Sequence, residues 1–284
     1  SGQAINAEEG YLSVGTFHER RGENTLTDAQ GRQTWVRPYY LSFGADGKNR
    51  FSYSGAELYG VQAGQDLWAS VTGADTSVRA AVILDYTRGN ADFTDRLRPL
   101  AGLSSHIGAM QAESVSFGGT YSRVAASGAY LDVVGKISIL RNKFSVVDTG
   151  KTYQNGARGT ASVEVGKPFA MGWGWEVEPQ AQAIYLHTAY SSFSDSVSSI
   201  SGYDADALRG RVGARISNPR LFSNDGRLRL YGIVDVLHDF LEPAKLTIGG
   251  THVSDDFRHT GFDAGLGGEY KLGKATSLYG RGLY

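Results

Sequence analysis

Between Glu176 and Gln182 every second residue is polar (Glu176, Glu178, Gln180, Gln182), while Val177, Pro179, Ala181, Ala183 and Tyr185 form the alternate set. A period of two belongs to a β-strand, whose side chains point to opposite faces in turn. The polar set is too continuous for a packed core, and the other set stays apolar for about ten residues. A strand crossing a bilayer at a tilt needs that length, whereas a soluble sandwich strand uses about five or six residues. The pattern recurs from Trp35 onward and predicts strands over 34–44, 53–66, 76–88, 111–123, 128–143, 157–168, 174–190, 207–217, 227–239, 258–271 and 276–284.

In nearly every candidate one face is free of charge: Tyr59, Val61 and Ala63; Val78, Ala80, Val82, Leu84 and Tyr86; Leu131, Val133, Ile137 and Ile139; Leu208, Val212, Ala214 and Ile216; Phe262, Ala264, Leu266 and Tyr270. The opposite faces carry Gln62, Asp66, Arg79, Asp85, Asp132, Lys136, Arg158, Glu164, Glu176, Glu178, Arg209, Arg211, Arg215, Asp263 and Glu269. A small soluble barrel fills its interior with apolar side chains, so a charged interior under an apolar exterior is inverted, and lipid explains the inversion. These polar residues are therefore expected to face a lumen. The connections after Arg88, Lys143, Tyr190 and Asp239 are long and polar, while those at 125–127, 169–173 and 272–275 are short. This alternation is that of an outer-membrane barrel with long external loops. Trp68, Phe169, Trp173 and Trp175 lie at or near the short-turn ends, where an interfacial aromatic belt is expected, although packing beside turns explains any one of them as well.

Residues 1–33 do not alternate. Asn6 followed by Glu9 reads as a capping pair, and about 7–23 can be helical with Tyr11, Leu12, Val14 and Phe17 as apolar positions. Gly10, Gly15 and Gly22 each cost about 1 kcal/mol relative to Ala, so the helix is marginal alone and needs a container. The reading is a linker with a pore helix over 1–33 and a barrel over 34–284. Tyr11, Phe17, Arg20 and Arg21 are the helix residues expected against the wall. Arg20 or Arg21 is expected to pair with the acidic strip of Glu164, Glu176 and Glu178, each pair contributing about 1 kcal/mol in a wet lumen.

With 38 Gly, 16 Tyr and 6 Pro in 284 residues, the composition suits strands and tight turns. A formal net charge of −1 offers no basic field, so no nucleic-acid partner is expected. The absence of Cys excludes a disulfide scaffold, a thiolate metal site and a Cys nucleophile. The six His show no metal spacing, and no glycine-rich stretch precedes a helix as a phosphate cradle does. Glu176 and Glu178 resemble an acid/base pair, but with Arg across a lumen a structural ion-pair network is the stronger reading. No cofactor, metal or catalytic residue is expected. No stretch approaches the ~18 apolar residues of a membrane helix. Ser1-Gly2-Gln3 has no export signal, so an exported protein with this sequence is expected to be a piece of a longer precursor.

A series of short motifs carries a family resemblance: Gly15-Thr-Phe-His-Glu-Arg-Arg-Gly22, Trp35-Val-Arg37, Gly60-Val-Gln-Ala-Gly-Gln-Asp66, Gly119-Thr-Tyr121 leading to Gly128-Ala-Tyr-Leu-Asp132, Val163-Glu-Val-Gly-Lys-Pro-Phe169, Trp175-Glu-Val-Glu-Pro-Gln180, Arg209-Gly-Arg-Val-Gly213, Leu237-His-Asp-Phe240 and Ser277-Leu-Tyr279. In order and spacing, from about Val14 to the end, the chain resembles the C-terminal translocator barrel of the monomeric (type Va) autotransporters of Gram-negative bacteria, and among them the pertactin-like translocators.

The resemblance implies an all-β fold, a 12-stranded antiparallel transmembrane β-barrel with an N-terminal α-helix in the pore. It also implies a non-enzymatic role, exporting an N-terminal passenger to the cell surface and anchoring it there. The implied partners are the chain's own passenger domain, outer-membrane lipid and lipopolysaccharide, the barrel-assembly machinery and periplasmic chaperones, around a monomeric barrel. The family barrel has twelve strands where eleven are counted here, so the expectation is a last strand beyond Tyr284, or else a strand at 245–253. Some autotransporters cut their own passenger at a scissile Asn. Asn6 and Asn24 lie in the corresponding region, but that subfamily's paired-Asn motif is missing, and self-cleavage is not expected. The rival readings are an independent pore, which requires large conductance, and a soluble all-β binding module, which requires stability without detergent.

Overall fold

The structure, a computed structural model, describes residues 2–22, 31–45, 51–73, 75–95, 97–147, 150–194, 199–200, 202–218, 227–241, 246–248, 251–253, 260–272 and 277–284. Eleven strands follow one another in chain order in one antiparallel sheet: β1 Thr34–Ala45, β2 Phe51–Thr72, β3 Thr76–Asp95, β4 His106–Val124, β5 Tyr130–Val146, β6 Gly150–Gly166, β7 Trp175–Tyr190, β8 Tyr203–Ser217, β9 Leu228–Asp239, β10 Thr260–Lys271 and β11 Ser277–Leu283. A short piece, Phe169–Gly172, resumes the line of β6 beyond Pro168 and pairs with β7. The sheet curls around two short helices, α1 Gly2–Val14 and α2 Phe17–Arg21. Among the described residues no helix is long and apolar enough to cross a membrane.

The two faces separate as the alternation predicts. Leu84 (56 % exposed), Phe117 (58 %), Ile137 (69 %), Ile139 (74 %), Val212 (65 %), Phe262 (76 %) and Leu266 (76 %) stand on the outside, while Gln62, Asp66, Asp85, Asp132, Arg158 and Glu164 are buried on the inside. Val78, expected outside, is the exception in being buried. Opposite Ala80 and Ala81, β2 holds Trp68 and Asp66, so Leu67 is an extra, bulged residue. The bulge turns both Leu67 and Trp68 outward, beside the turn that ends β2. With Phe169, Met171, Trp173 and Trp175 they make one rim of exposed aromatic and apolar residues.

Several boundaries differ from expectation, and the cause is backbone hydrogen bonding. A ladder continues past the apolar band because pairing needs no apolar face. β5 runs to Val146 and β6 starts at Gly150, so the connection after Lys143 is a tight hairpin and not a long loop. β3 and β4 extend to Asp95 and from His106 in the same way. Residues 246–248 and 251–253 form a small hairpin of their own, off the main sheet, so 245–253 is not a barrel strand. Among the described residues β1 and β11 are the two ends of the sheet.

The N-terminal helix also departs from the sequence reading. It begins at Gly2, so Asn6 and Glu9 lie within it and do not cap it. The capping box is at Thr16 and Glu19, where the Thr16 hydroxyl accepts from the Glu19 N–H and the Glu19 carboxylate accepts from the Thr16 N–H. Gly15 separates the two helices with φ +64, a conformation that an L side chain adopts only under strain. A Cβ there would also fall on the Arg37 guanidinium. Gly10 has a different role, since a Cβ would run into Leu186 of the wall.

Candidate functional site

The site is the inner face of the sheet where it grips the helix. Near its start, Ile5 packs in a cluster with Ala56, Leu58, Ala91, Met110 and Ala112, with Phe144 and Leu12 at the margin. At the next residue Arg158 donates to the Asn6 carbonyl (2.7 Å), and one turn on it meets Glu9 (3.3 Å), which also accepts from Ser114. The Asn6 amide donates to the Tyr190 hydroxyl (3.0 Å). Arg209 is held between Glu8 and Asp239 and lies over the Tyr11 ring at 4.1 Å. Tyr11 and Val14 then pack with Trp35, Ile83, Val134, Ile184 and Leu186.

A helix leaves its last carbonyls without partners and gathers partial negative charge there. The wall supplies the missing donors. Arg37 donates to the Leu12 and Ser13 carbonyls (3.1 and 2.9 Å), Gln62 to Ser13 (2.8 Å) and Gln182 to Gly15 (2.9 Å). Arg20, returning from α2, donates to the Val14 carbonyl. Lys136 donates to the Ser13 hydroxyl (2.6 Å) and pairs with Asp85 (3.0 Å). Three strand side chains and one from α2 thus terminate α1.

Around α2 the contacts are mostly ionic. Arg20 pairs with Asp132, which also accepts from Ser122. Arg21 pairs with Asp66, and Arg79 meets the other oxygen of that carboxylate at 2.8 Å. His18 is 2.7 Å from Glu178, and the Phe17 N–H donates to Glu164 (2.8 Å). The Phe17 ring stacks on Tyr130, whose hydroxyl also donates to Glu164. Arg211 meets Glu164 (3.1 Å) and Asp235 (3.0 Å), and Arg215 lies over the Tyr231 ring at 3.7 Å.

The expected partners were therefore wrong for both arginines. Arg20 and Arg21 do not reach the strip of Glu164, Glu176 and Glu178, which instead serves Arg211, Arg229 and His18. Strand periodicity puts a residue on the inner face but does not say which carboxylate lies opposite one helical turn. The expectation of a wet lumen fails as well, because both side chains of the Arg20–Asp132 pair are only 1 % exposed. Glu176, at the end of β7, is partly exposed and lies 3.9 Å from Arg229. Asn6 is buried within α1, and Asn24 lies outside the described residues.

Glu19 was not singled out from sequence, yet it joins the two ends of the sheet. One oxygen lies 2.7 Å from Arg281 on β11 and the other 3.3 Å from Arg37 on β1. Burial alone would raise its pKa, but Arg281 and Arg37, with the Thr16 N–H, hold it down at about 2. Arg37, Tyr130, Asp235 and Arg281 were also missed. Arg37 sits in the inward phase of β1 beside Trp35 and in the Trp35-Val-Arg37 motif, and either signal could have found it. Among the described residues no group of acidic and His side chains is placed to hold a metal.

A curled antiparallel sheet, apolar outside, charged inside and threaded by a helix, defines the class as an outer-membrane-type β-barrel with an internal plug. The autotransporter β-domain family model matches residues 34–282, and the chain belongs to that family, the translocators of type V secretion. Pertactin autotransporter of Bordetella bronchiseptica is 26 % identical over 279 residues, covering 95 % of this chain and 28 % of pertactin, so the chain spans under a third of that relative's length. The β-domain of the Bordetella autotransporter BrkA superposes with a TM-score of 0.65 at 20 % identity, covering 89 % of this chain and 91 % of that one. The translocator domain of NalP from Neisseria meningitidis gives 0.73 at 16 % identity over 100 % and 91 %. Family members of this kind are outer-membrane proteins with a linked passenger.

Proposed function

We propose that this chain carries its own N-terminal passenger across the outer membrane and then anchors it, with α1 and α2 as the plug that occupies the lumen after passage. In this reading the lumen-facing set is Gln62, Asp66, Arg79, Asp85, Asp132, Lys136, Arg158, Glu164, Glu178, Arg209, Arg211 and Arg215, with Glu176 at its margin. Residues 1–33 form the link and 34–284 the translocator. The observation that carries it is the capping of α1 by Arg37, Gln62 and Gln182 from three strands, which fits a helix with a resting place in the barrel. The chain acts as a conduit and anchor, with no chemical step of its own. Insertion uses periplasmic chaperones and the barrel-assembly machinery.

The rim with Trp68, Phe169, Trp173 and Trp175 faces the periplasm, and the rim near Gly2 faces outward. These 284 residues contain no Cys, so an introduced one is the barrel's single labelling site. Single Cys residues at Leu100 (84 % exposed) and Trp173 (97 %) are labelled on intact cells with a membrane-impermeant maleimide, while external protease assays the passenger of the full-length protein. Leu100→Cys should label on intact cells, Trp173→Cys only after permeabilisation, and the passenger should be digested. The reverse labelling pattern overturns the orientation, and a passenger protected on intact cells overturns the export reading.

A further inference from the structure

Side-chain amides on the inner face differ in what they hold. Gln62 on β2 and Gln182 on β7 donate to the Ser13 and Gly15 carbonyls of the plug. Asn142 on β5 and Gln154 on β6 are ladder partners, 1 % and 2 % exposed, and Ala112 of the Ile5 cluster is the partner of Asn142 on its other side. Neither amide atom of Asn142 nor the amide nitrogen of Gln154 has a hydrogen-bond partner among the described residues. The buried hydroxyls of Thr120 on β4 and Thr160 on β6 have none either.

These four side chains lie on one strip of wall. Thr160 is six residues along β6 from Gln154, about 20 Å. Its ladder partner is Lys136, which follows Val134 on the inner face of β5, and Val134 is the partner of Thr120. Gly156, Gly118, Ser116 and Ser138 keep much of the wall between them low, the two serines bonding each other at 2.8 Å. Arg158, within the strip, already holds a peptide carbonyl, that of Asn6.

A helix bonds its own peptide groups, so the length of α1 leaves these side chains nothing to take. Buried and unpaired, they weaken the plugged barrel, and apolar side chains of similar shape would remove that cost. An extended polypeptide differs, because outside a sheet each of its residues presents a free N–H and a free C=O. A carboxamide offers an acceptor and donors to match, and a hydroxyl can serve as either. Such neutral bonds are weak and take any sequence, whereas a charged wall would hold back segments of opposite charge.

We infer that the inner wall of β4 to β6 is the track along which the extended polypeptide runs during passage, its backbone bonded in turn by Asn142, Gln154, Thr160 and Thr120. The inference rests on the export reading and adds where in the lumen the chain runs and which groups receive it.

The test uses the full-length protein and two measurements expected to move in opposite senses. In the double variant Asn142→Leu, Gln154→Met the plugged barrel should melt no lower than wild type, since only unpaired groups are lost. Passage, followed in pulse-labelled cells as the time at which external protease first reaches the passenger, should slow on the order of fivefold for each bond removed. The pair Thr120→Val, Thr160→Val, closer in shape, should behave in the same way. Passage as fast as wild type in both pairs overturns the inference, and so does a lower melting temperature in both, which would make the four groups structural. A photoreactive residue in place of Gln154 should crosslink to passenger peptides during the pulse, and one in place of Ile233 on β9 should not; the reverse pattern puts the track on the wrong wall. A wild-type passenger that never becomes accessible overturns the export reading itself, whereas a change confined to rate or crosslinking bears on the track alone.

Discussion

Around Ile5 the helix rests on Leu58, Met110 and Ala112, whereas Arg20 and Arg21 are held by the carboxylates of Asp132 and Asp66. The first kind of contact is non-directional and scales with area, so it resists withdrawal without fixing register. The second requires each charge to meet its own partner, because a buried carboxylate left alone is costly. The turn around Ile5 is seated by area, with the Arg158–Glu9 and Arg209–Glu8 pairs following it, and α2 is indexed chiefly by charge. The indexed end lies at the rim of Trp68 and Trp175, where α2 also touches both β1 and β11 through Glu19.

The largest expected effect removes both ends together. Deleting residues 1–23 should raise single-channel conductance severalfold and lower the unfolding temperature. A variant with unchanged conductance and unchanged melting would mean that the helix is not seated in the barrel, and the comparison would lapse.

Next in size is Arg20→Ala, which strands Asp132 inside the wall and should cost about 3–5 kcal/mol of folding stability in detergent or lipid. Adding Asp132→Ala should return most of that loss. If the double variant were as unstable as the sum of the two single ones, the pair would carry no coupling. A cycle between Arg21→Ala and Glu176→Ala is expected to show no coupling, in contrast to Arg21→Ala with Asp66→Ala.

A smaller cost, about 2–4 kcal/mol, is expected for Ile5→Ala through lost burial and the cavity left behind. It sharpens the comparison through salt. The Ile5 effect should be the same at low and high ionic strength, and a clear salt dependence there would show that the two ends do not differ in kind.

The smallest effect concerns Glu19. Its folded pKa is depressed to about 2 from an ordinary value of 4.5, so its contribution is fully present above about pH 4.5 and is lost as pH falls towards 2. Glu19→Gln should lower stability at neutral pH and flatten the acid limb of the stability profile between those values. A variant whose acid limb is as steep as that of wild type would remove Glu19 from the contact that spans the sheet ends.

Much of the architecture is legible in the chain. Ile137 and Ile139 alternate with Lys136 and Ser138, and that alone assigns them to opposite faces, because a strand has no other way to present them. The far limit of β5 was not legible, because Phe144, Ser145 and Val146 pair through backbone groups that every sequence possesses. Inward apolar residues such as Ile83, Val134 and Leu186 were hidden for a related reason. They have no meaning for a strand in a water-filled pore and acquire one only when Tyr11 and Val14 lie against them.

The sequence by itself determined the class: period-two alternation with charge on one face and apolar residues on the other, repeated along the chain, has a stable solution only where lipid meets the second face. It also pointed to a container for the first residues, although of the three glycines only Gly10 lies within a helix, Gly15 separating α1 from α2 and Gly22 capping α2. Only the tertiary structure decided which charge meets which. Arg20 finds Asp132 from 112 positions away, and Glu19 finds Arg37 and Arg281 at opposite ends of the sheet. Such pairings depend on the curl of the sheet and the rotation of the helix within it, and neither is encoded in any local stretch of residues.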